Sequence, residues 1–129
     1  MPAIAGRSAA GAARDSVRYI ACWDSDECEV FVDRRGSAPY KMDGRNDIRD
    51  HSPTGISWGY DGSGPSQCAL GLLADFFGNG RRSGWADAMA ARYYAGFRSL
   101  VIARLPMGSD WELTDTQVRA ALRLIDAAG

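Results

Sequence analysis

The segment VRYIACW, residues 17–23, alternates in character: Val17, Tyr19, Ala21 and Trp23 share one face of an extended chain, with Arg18 and Cys22 on the other. After DSDE the alternation resumes in CEVFVD, where Cys28, Val30 and Val32 share a face. A turn centred on Ser25 and Asp26 sets Trp23 opposite Cys28 and Tyr19 opposite Val32, uniting the two apolar faces in a hairpin. That register sends Cys22 and Cys28 to opposite sides, which argues against a disulfide between them. GISWGY predicts a third strand, with Ile56, Trp58 and Tyr60 on one face. Shorter strands are predicted at 39–42, inside an otherwise irregular Gly-, Pro- and Asp-rich stretch, and at WELT.

Beyond Gly64 the period changes from two to 3.6. Pro65 suits the first turn of a helix, where its missing N–H costs nothing, with Ser63 or Gly64 as the cap. Ala69, Leu72, Leu73 and Phe76 form a stripe that Cys68, Leu70 and Phe77 widen, so this helix is predicted to lie buried between the sheet and another element. GNGRRSG ends it. A second helix is predicted from Trp85 to Arg104, with Trp85, Met89, Tyr93, Phe97, Leu100 and Val101 inward, Arg92, Arg98 and Arg104 in water, and Pro106 closing it. Thr114 caps a last helix, Gln117 completes a capping box, and Val118, Ala121, Leu122 and Ile125 supply the inward stripe. The pattern predicts an α+β fold: a small, mostly antiparallel sheet with about three helices packed on one face. It places a single domain at 16–129 behind a mobile leader at 1–15.

Composition narrows the picture. A chain of 129 residues is the length of one domain, and a net charge of −1 gives no global pull toward nucleic acid. Three cysteines, at 22, 28 and 68, form no CxxC and no Cys/His cluster, so a zinc module is not expected; reduced thiols fit a cytoplasmic protein. The first residues lack the apolar core of a secretory signal, and no stretch approaches the ~20 apolar residues of a membrane span.

Charge is distributed unevenly. Asp24, Asp26, Glu27, Glu29 and Asp33 make the hairpin acidic, whereas Arg81, Arg82, Arg92, Arg98 and Arg104 make the second helix and its lead-in basic. An acidic hairpin would suit a basic, nucleic-acid-binding surface on a partner protein. The arginines lack the interleaved exposed aromatics that stack bases, so direct nucleic-acid contact is not favoured.

Two stretches raise the question of chemistry. Asp43, Asp47, Asp50 and His51 are a ligand set of the kind a metal-dependent hydrolase or nuclease uses. Arg45 and Arg49 are interleaved among them and predict local ion pairs instead, with His51 a buried, hydrogen-bonded loop anchor. In the 59–66 loop, Gly62, Ser63 and Gly64 lead into a helix start, the setting in which backbone N–H groups cradle a phosphate. The spacing and lysine of a nucleotide-binding P-loop are missing, and Pro65 removes one donor, so the glycines are read as fold-making. A Ser63–His51–Asp47 nucleophile would need a geometry that no part of the sequence demonstrates.

WGYDGSGPSQCALGLLADFF, followed by RYYAGFRSLVIARLPMGSDWELT, resembles a family of domains of unknown function met in bacteria, archaea and their phages and plasmids. The resemblance runs from about residue 17 to 128. It is carried by Arg18–Trp23, by His51–Leu73 (an HSPxGxxWGYxGSGPxQxALxLL pattern), by Phe97–Pro106 and by Trp111–Thr114. It implies no particular reaction. The association with mobile elements implies an accessory or inhibitory factor, an anti-CRISPR-like protein for instance. The expectation is therefore a non-enzymatic, cofactor-free binding protein that contacts another protein. The contact would be either the acidic hairpin (Asp24, Asp26, Glu27, Glu29) or the arginine face (Arg81, Arg82, Arg92, Arg98). A metal-dependent hydrolase and a nucleotide- or nucleic-acid-binding module are the alternatives.

Overall fold

A computed structural model describes residues 16–24 and 27–128. The predicted leader at 1–15 and the centre of the hairpin turn, with Asp26, lie outside the described residues. Strands β1 (Val17–Asp24) and β2 (Glu27–Arg34) pair antiparallel in the register the alternation requires, Trp23 opposite Cys28 and Tyr19 opposite Val32. Strand β3 (Tyr40–Lys41) adds to the outer edge of β2, and β4 (Trp111–Thr114) to the outer edge of β1. The sheet is antiparallel throughout, in the order β3-β2-β1-β4.

GISWGY is not a strand: residues 55–62 form no ladder. The alternation there records one deeply buried side chain, not two-faced pairing. Trp58 is fully buried, wedged edge-on between Trp23 (5.6 Å) and Trp111 (5.3 Å), and its indole N–H donates to the Ser109 carbonyl at 3.1 Å.

Helix α1 (Ser63–Gly78) has Gly62 as its N-cap, one residue before the earliest predicted cap, and no side chain caps it. Every residue from Gly64 to Ala74 is buried, so the wide apolar stripe does lie between the sheet and a second helix. Gly71 sits where α1 crosses the 43–44 backbone; a Cβ there would stand 2.5 Å from the Asp43 carbonyl oxygen.

Helix α2 (Gly84–Leu100) is capped by Ser83, whose Oγ accepts from the Ala86 N–H at 3.1 Å. It stops short of the predicted end. Val101 leaves helical geometry and a 3₁₀ turn (Ile102–Arg104) follows, with Leu105 extended as the residue before a proline must be. The inward face also differs from prediction: Ala86, Ala90 and Phe97 are buried, whereas Trp85 is 61% exposed. Small residues at the contact let α2 lie close to α1, which sends the larger side chains to its flanks; Trp85 packs only edge-on against Phe77.

Helix α3 (Asp115–Ala128) carries the predicted capping box. The Thr114 N–H donates to Gln117 Oε1 at 2.9 Å, and the Gln117 N–H donates to Thr114 Oγ1 at 3.3 Å. The three helices and the inward residues of the sheet, from Val17, Tyr19 and Ala21 to Val30, Val32, Trp111 and Leu113, share one core. The result is a two-layer α+β arrangement in which, among the described residues, no helix lies over the opposite sheet face.

Candidate functional site

Strand alternation dictates what that uncovered face carries. Its cross-strand pairs are Arg18–Asp33, Ile20–Phe31, Cys22–Glu29 and Asp24–Glu27, with Lys41 beside Phe31 and Glu112 beside Ile20. Five carboxylates (Asp24, Glu27, Glu29, Asp33, Glu112) thus share a surface with two cations, Arg18 and Lys41. Arg18 bridges Asp33 at 2.6 Å and Glu112 at 3.0 Å, and Lys41 pairs with Glu29 at 3.0 Å. The hydrogen bond to Asp33 holds the Arg18 pKa above its usual value, and that to Glu29 does the same for Lys41. Asp24 opposite Glu27 is a like-charge pair, an arrangement that works against the hairpin. Ile20 and Phe31, both half-buried, form an apolar centre between these charges. Three of the four predicted acidic residues, Asp24, Glu27 and Glu29, therefore lie on one face; Asp26 lies outside the described residues.

The four predicted arginines are not comparably gathered. Arg82 reaches back to Asp43 (2.8 Å) and Asp47 (3.5 Å), and Arg92 lies over the Tyr93 ring at 5.4 Å. Arg98, expected in water, pairs with Asp61 at 2.8 Å and donates to Ser66 Oγ at 3.1 Å. Arg81 lines a cleft of about 170 Å³ beside Tyr40, Asp75 and Gly80.

In the 43–51 loop the carboxylates serve arginines. Buried Arg45 forks onto Asp47 (2.9 and 3.0 Å) and also reaches Asp87 at 3.0 Å. The hydrogen bond between them holds the Asp47 carboxyl below its usual range and the Arg45 guanidinium above its own. Asp50 accepts from Asn46 Nδ2 at 2.8 Å. Among the described residues no group of three or more His, Cys, Asp or Glu is placed to hold a metal ion. His51 is anchored through its backbone rather than its ring: its N–H donates to Gln67 Oε1 at 2.8 Å, while Nε2 is buried without a partner and the ring leans on Tyr94. The anchor is Gln67, fully buried on α1. Its Nε2 donates to the carbonyls of Gly44 (2.6 Å) and Arg49 (3.1 Å), and its Oε1 accepts from His51 and from Ser52 (3.1 Å).

The 59–66 loop is closed over by its own side chains. Ser57 Oγ and the Tyr60 hydroxyl, 2.8 Å apart, lie on Gly64, where a Cβ would overlap Ser57 Oγ. Gly59 takes a φ of +90° against the Met107 backbone. A Cβ at Gly62 would likewise meet the Tyr60 ring, at 2.8 Å, so Gly62 and Gly64 are both needed for this close packing.

A polar cluster that sequence reasoning missed sits at the C-terminal end of α1. Asp75 accepts from the hydroxyls of Tyr19 (2.7 Å) and Tyr40 (2.5 Å) and from Arg34 (2.5 Å); Arg34 also donates to Asn79 Oδ1 at 2.7 Å. Asn79 is the left-handed residue that ends the helix. Burial, followed by the neighbouring Asp75 charge, pushes the Tyr19 pKa well up. The available signal was a single carboxylate in an otherwise apolar helix, in the same chain as two inward-facing tyrosines.

The fold and this face define a small two-layer α+β domain with an open, acidic sheet surface. Residues 23–124 match a family of unknown function, DUF6166, and the chain belongs to that family. No curated protein and no solved structure matches the chain. Among the described residues no helix is long and apolar enough to cross a membrane.

Proposed function

We propose that this protein works by binding another protein on its open sheet face and is not an enzyme. The observation that supports the reading is the coincidence of three features on one layer side: an excess of carboxylates, an apolar centre at Ile20 and Phe31, and, among the described residues, no covering helix. The occupant is a basic protein surface, attracted at long range by the carboxylate excess and seated on the apolar pair. A surface that normally holds nucleic acid has that chemistry, so occupying it would block nucleic-acid binding. This is the action of an inhibitory or accessory factor carried by a mobile element. The pairs Arg18–Asp33 and Lys41–Glu29, whose cations are exposed, lie on the face where such a surface would land.

The test is photo-crosslinking in cells, with a benzophenone amino acid placed at Phe31 or Ile20 and, as comparison positions, at exposed Ala95 or Leu124 on the helical layer. The reading expects an adduct from the sheet positions, mapped to a Lys/Arg-rich patch of one protein. Adducts confined to the helical positions would overturn it.

A further inference from the structure

Strand β2 has eight residues and β3 only two, so the outer edge of the sheet is covered over Phe31 and Val32 and no further than Val30, where the Met42 N–H donates to the Val30 carbonyl at 2.8 Å. After Met42 the chain turns away, and Gly44 packs against Ile56 and Gln67. In an antiparallel ladder the N–H and C=O of one residue point to the same side, and the side alternates along the strand. Since Val30 points its carbonyl outward to Met42, Cys28 points both its backbone groups outward as well. Its cross-strand neighbour agrees: the Trp23 N–H points away from Cys28, to Asp110 Oδ1 at 2.8 Å. Among the described residues no hydrogen bond reaches the Cys28 N–H or carbonyl. Beside this edge runs a cleft of about 510 Å³, with Thr54, Gly55 and Ile56 as its far wall.

An uncovered edge is a template for another strand. A strand added here would have two unlike faces. One continues the open sheet face beside Glu27 and Glu29; the other looks toward Cys28, Met42 and Ile56 in the cleft. We propose that the Glu27–Glu29 edge takes an extended segment of the partner as an antiparallel fifth strand, its basic side chains alternating with small apolar ones. This deepens the protein-binding reading above and rests on it: the basic residues meet the acidic face, and the apolar ones enter the cleft.

The geometry fixes which backbone groups of the segment must pair. In an antiparallel addition, which continues the sheet, the residue opposite Cys28 shares its inward face and exchanges both hydrogen bonds with it, so the apolar residues, not the basic ones, pair with the edge. A short peptide alternating lysine and valine is the probe, titrated into the full chain at low salt and followed by amide shifts and hydrogen exchange. The expected result is slowed exchange of the Cys28 amide. Binding is expected to be lost by at least about tenfold when the valine nitrogens are methylated and kept when the lysine nitrogens are. Because only the peptide is altered, folding of the protein is not in question. If both methylated peptides bind like the parent, with shifts confined to Arg18, Phe31, Asp33 and Glu112, the edge proposal is wrong and the acidic face stands. Shifts confined to α2 would overturn both.

Discussion

Asp75 gathers Tyr19, Tyr40 and Arg34 at a point where none is well exposed to water. Removing its carboxylate strands a guanidinium and a buried hydroxyl together, so Asp75→Ala should lower the unfolding free energy by about 3 kcal/mol or more in chemical denaturation. The asparagine variant, which keeps one acceptor, should lose less. Tyr19 adds a pH signature. Its pKa is raised in the folded protein, chiefly by burial and then by Asp75, so the folded state holds the proton more tightly than the unfolded one. The corresponding stability is complete below the unfolded value of about 10 and is lost as pH rises above it toward the folded pKa. Tyr19→Phe should therefore flatten the alkaline decline measured by denaturation between about pH 9 and 11.5.

Elements hold together here through close backbone approach and capping, and each has a direct test. Gly71→Ala drives a methyl into the Asp43 and Gly44 backbone, which cannot move like a side-chain tip, and should cost about 1–3 kcal/mol. At the start of α3, Asp115 is buried. Burial alone would raise its pKa, but hydrogen bonds from Ser16 and then Arg119 outweigh it and leave the pKa depressed. Stability from this group is present above about pH 4 and is lost as pH falls through the lower folded pKa, so Asp115→Asn should be less stable at neutral pH and show a shallower acid limb. The hairpin register and the capping box were legible because the pairs that set them lie only three to thirteen residues apart, with turn and cap chemistry written locally. The inward face of α2 was not, because hydrophobicity ranks Trp85 above Ala86 while the closeness of α1 favours the smaller residue. GISWGY misled for a related reason: its period of two reflects one buried tryptophan between a half-buried Ile56 and an exposed Tyr60, and pairing depends on a neighbour that the segment itself does not encode. The cluster on Asp75 joins residues up to 56 positions apart, and no local signal announces such a meeting.

Seen whole, the molecule is asymmetric between its layers. The helical side ties its charges into pairs with the loops, Arg45, Arg82 and Arg98 among them, while the described sheet face carries five carboxylates beside two cations. The acidic stretch of the hairpin was visible in the sequence; its convergence with Glu112 on one sheet face required the strand order. If that face is the working surface, its charge should govern association and contribute little to folding. The decisive measurement is the association rate constant of the combined Asp24→Lys, Glu27→Lys, Glu29→Lys variant with the crosslinked partner, taken beside its melting temperature. A fall of at least about tenfold in rate at low salt is the predicted result in a variant that stays fully folded, since positions 24 and 27 remain a like-charge pair and loss of the exposed Lys41–Glu29 pair costs at most about 1 kcal/mol. An unchanged rate in a fully folded variant would contradict the account.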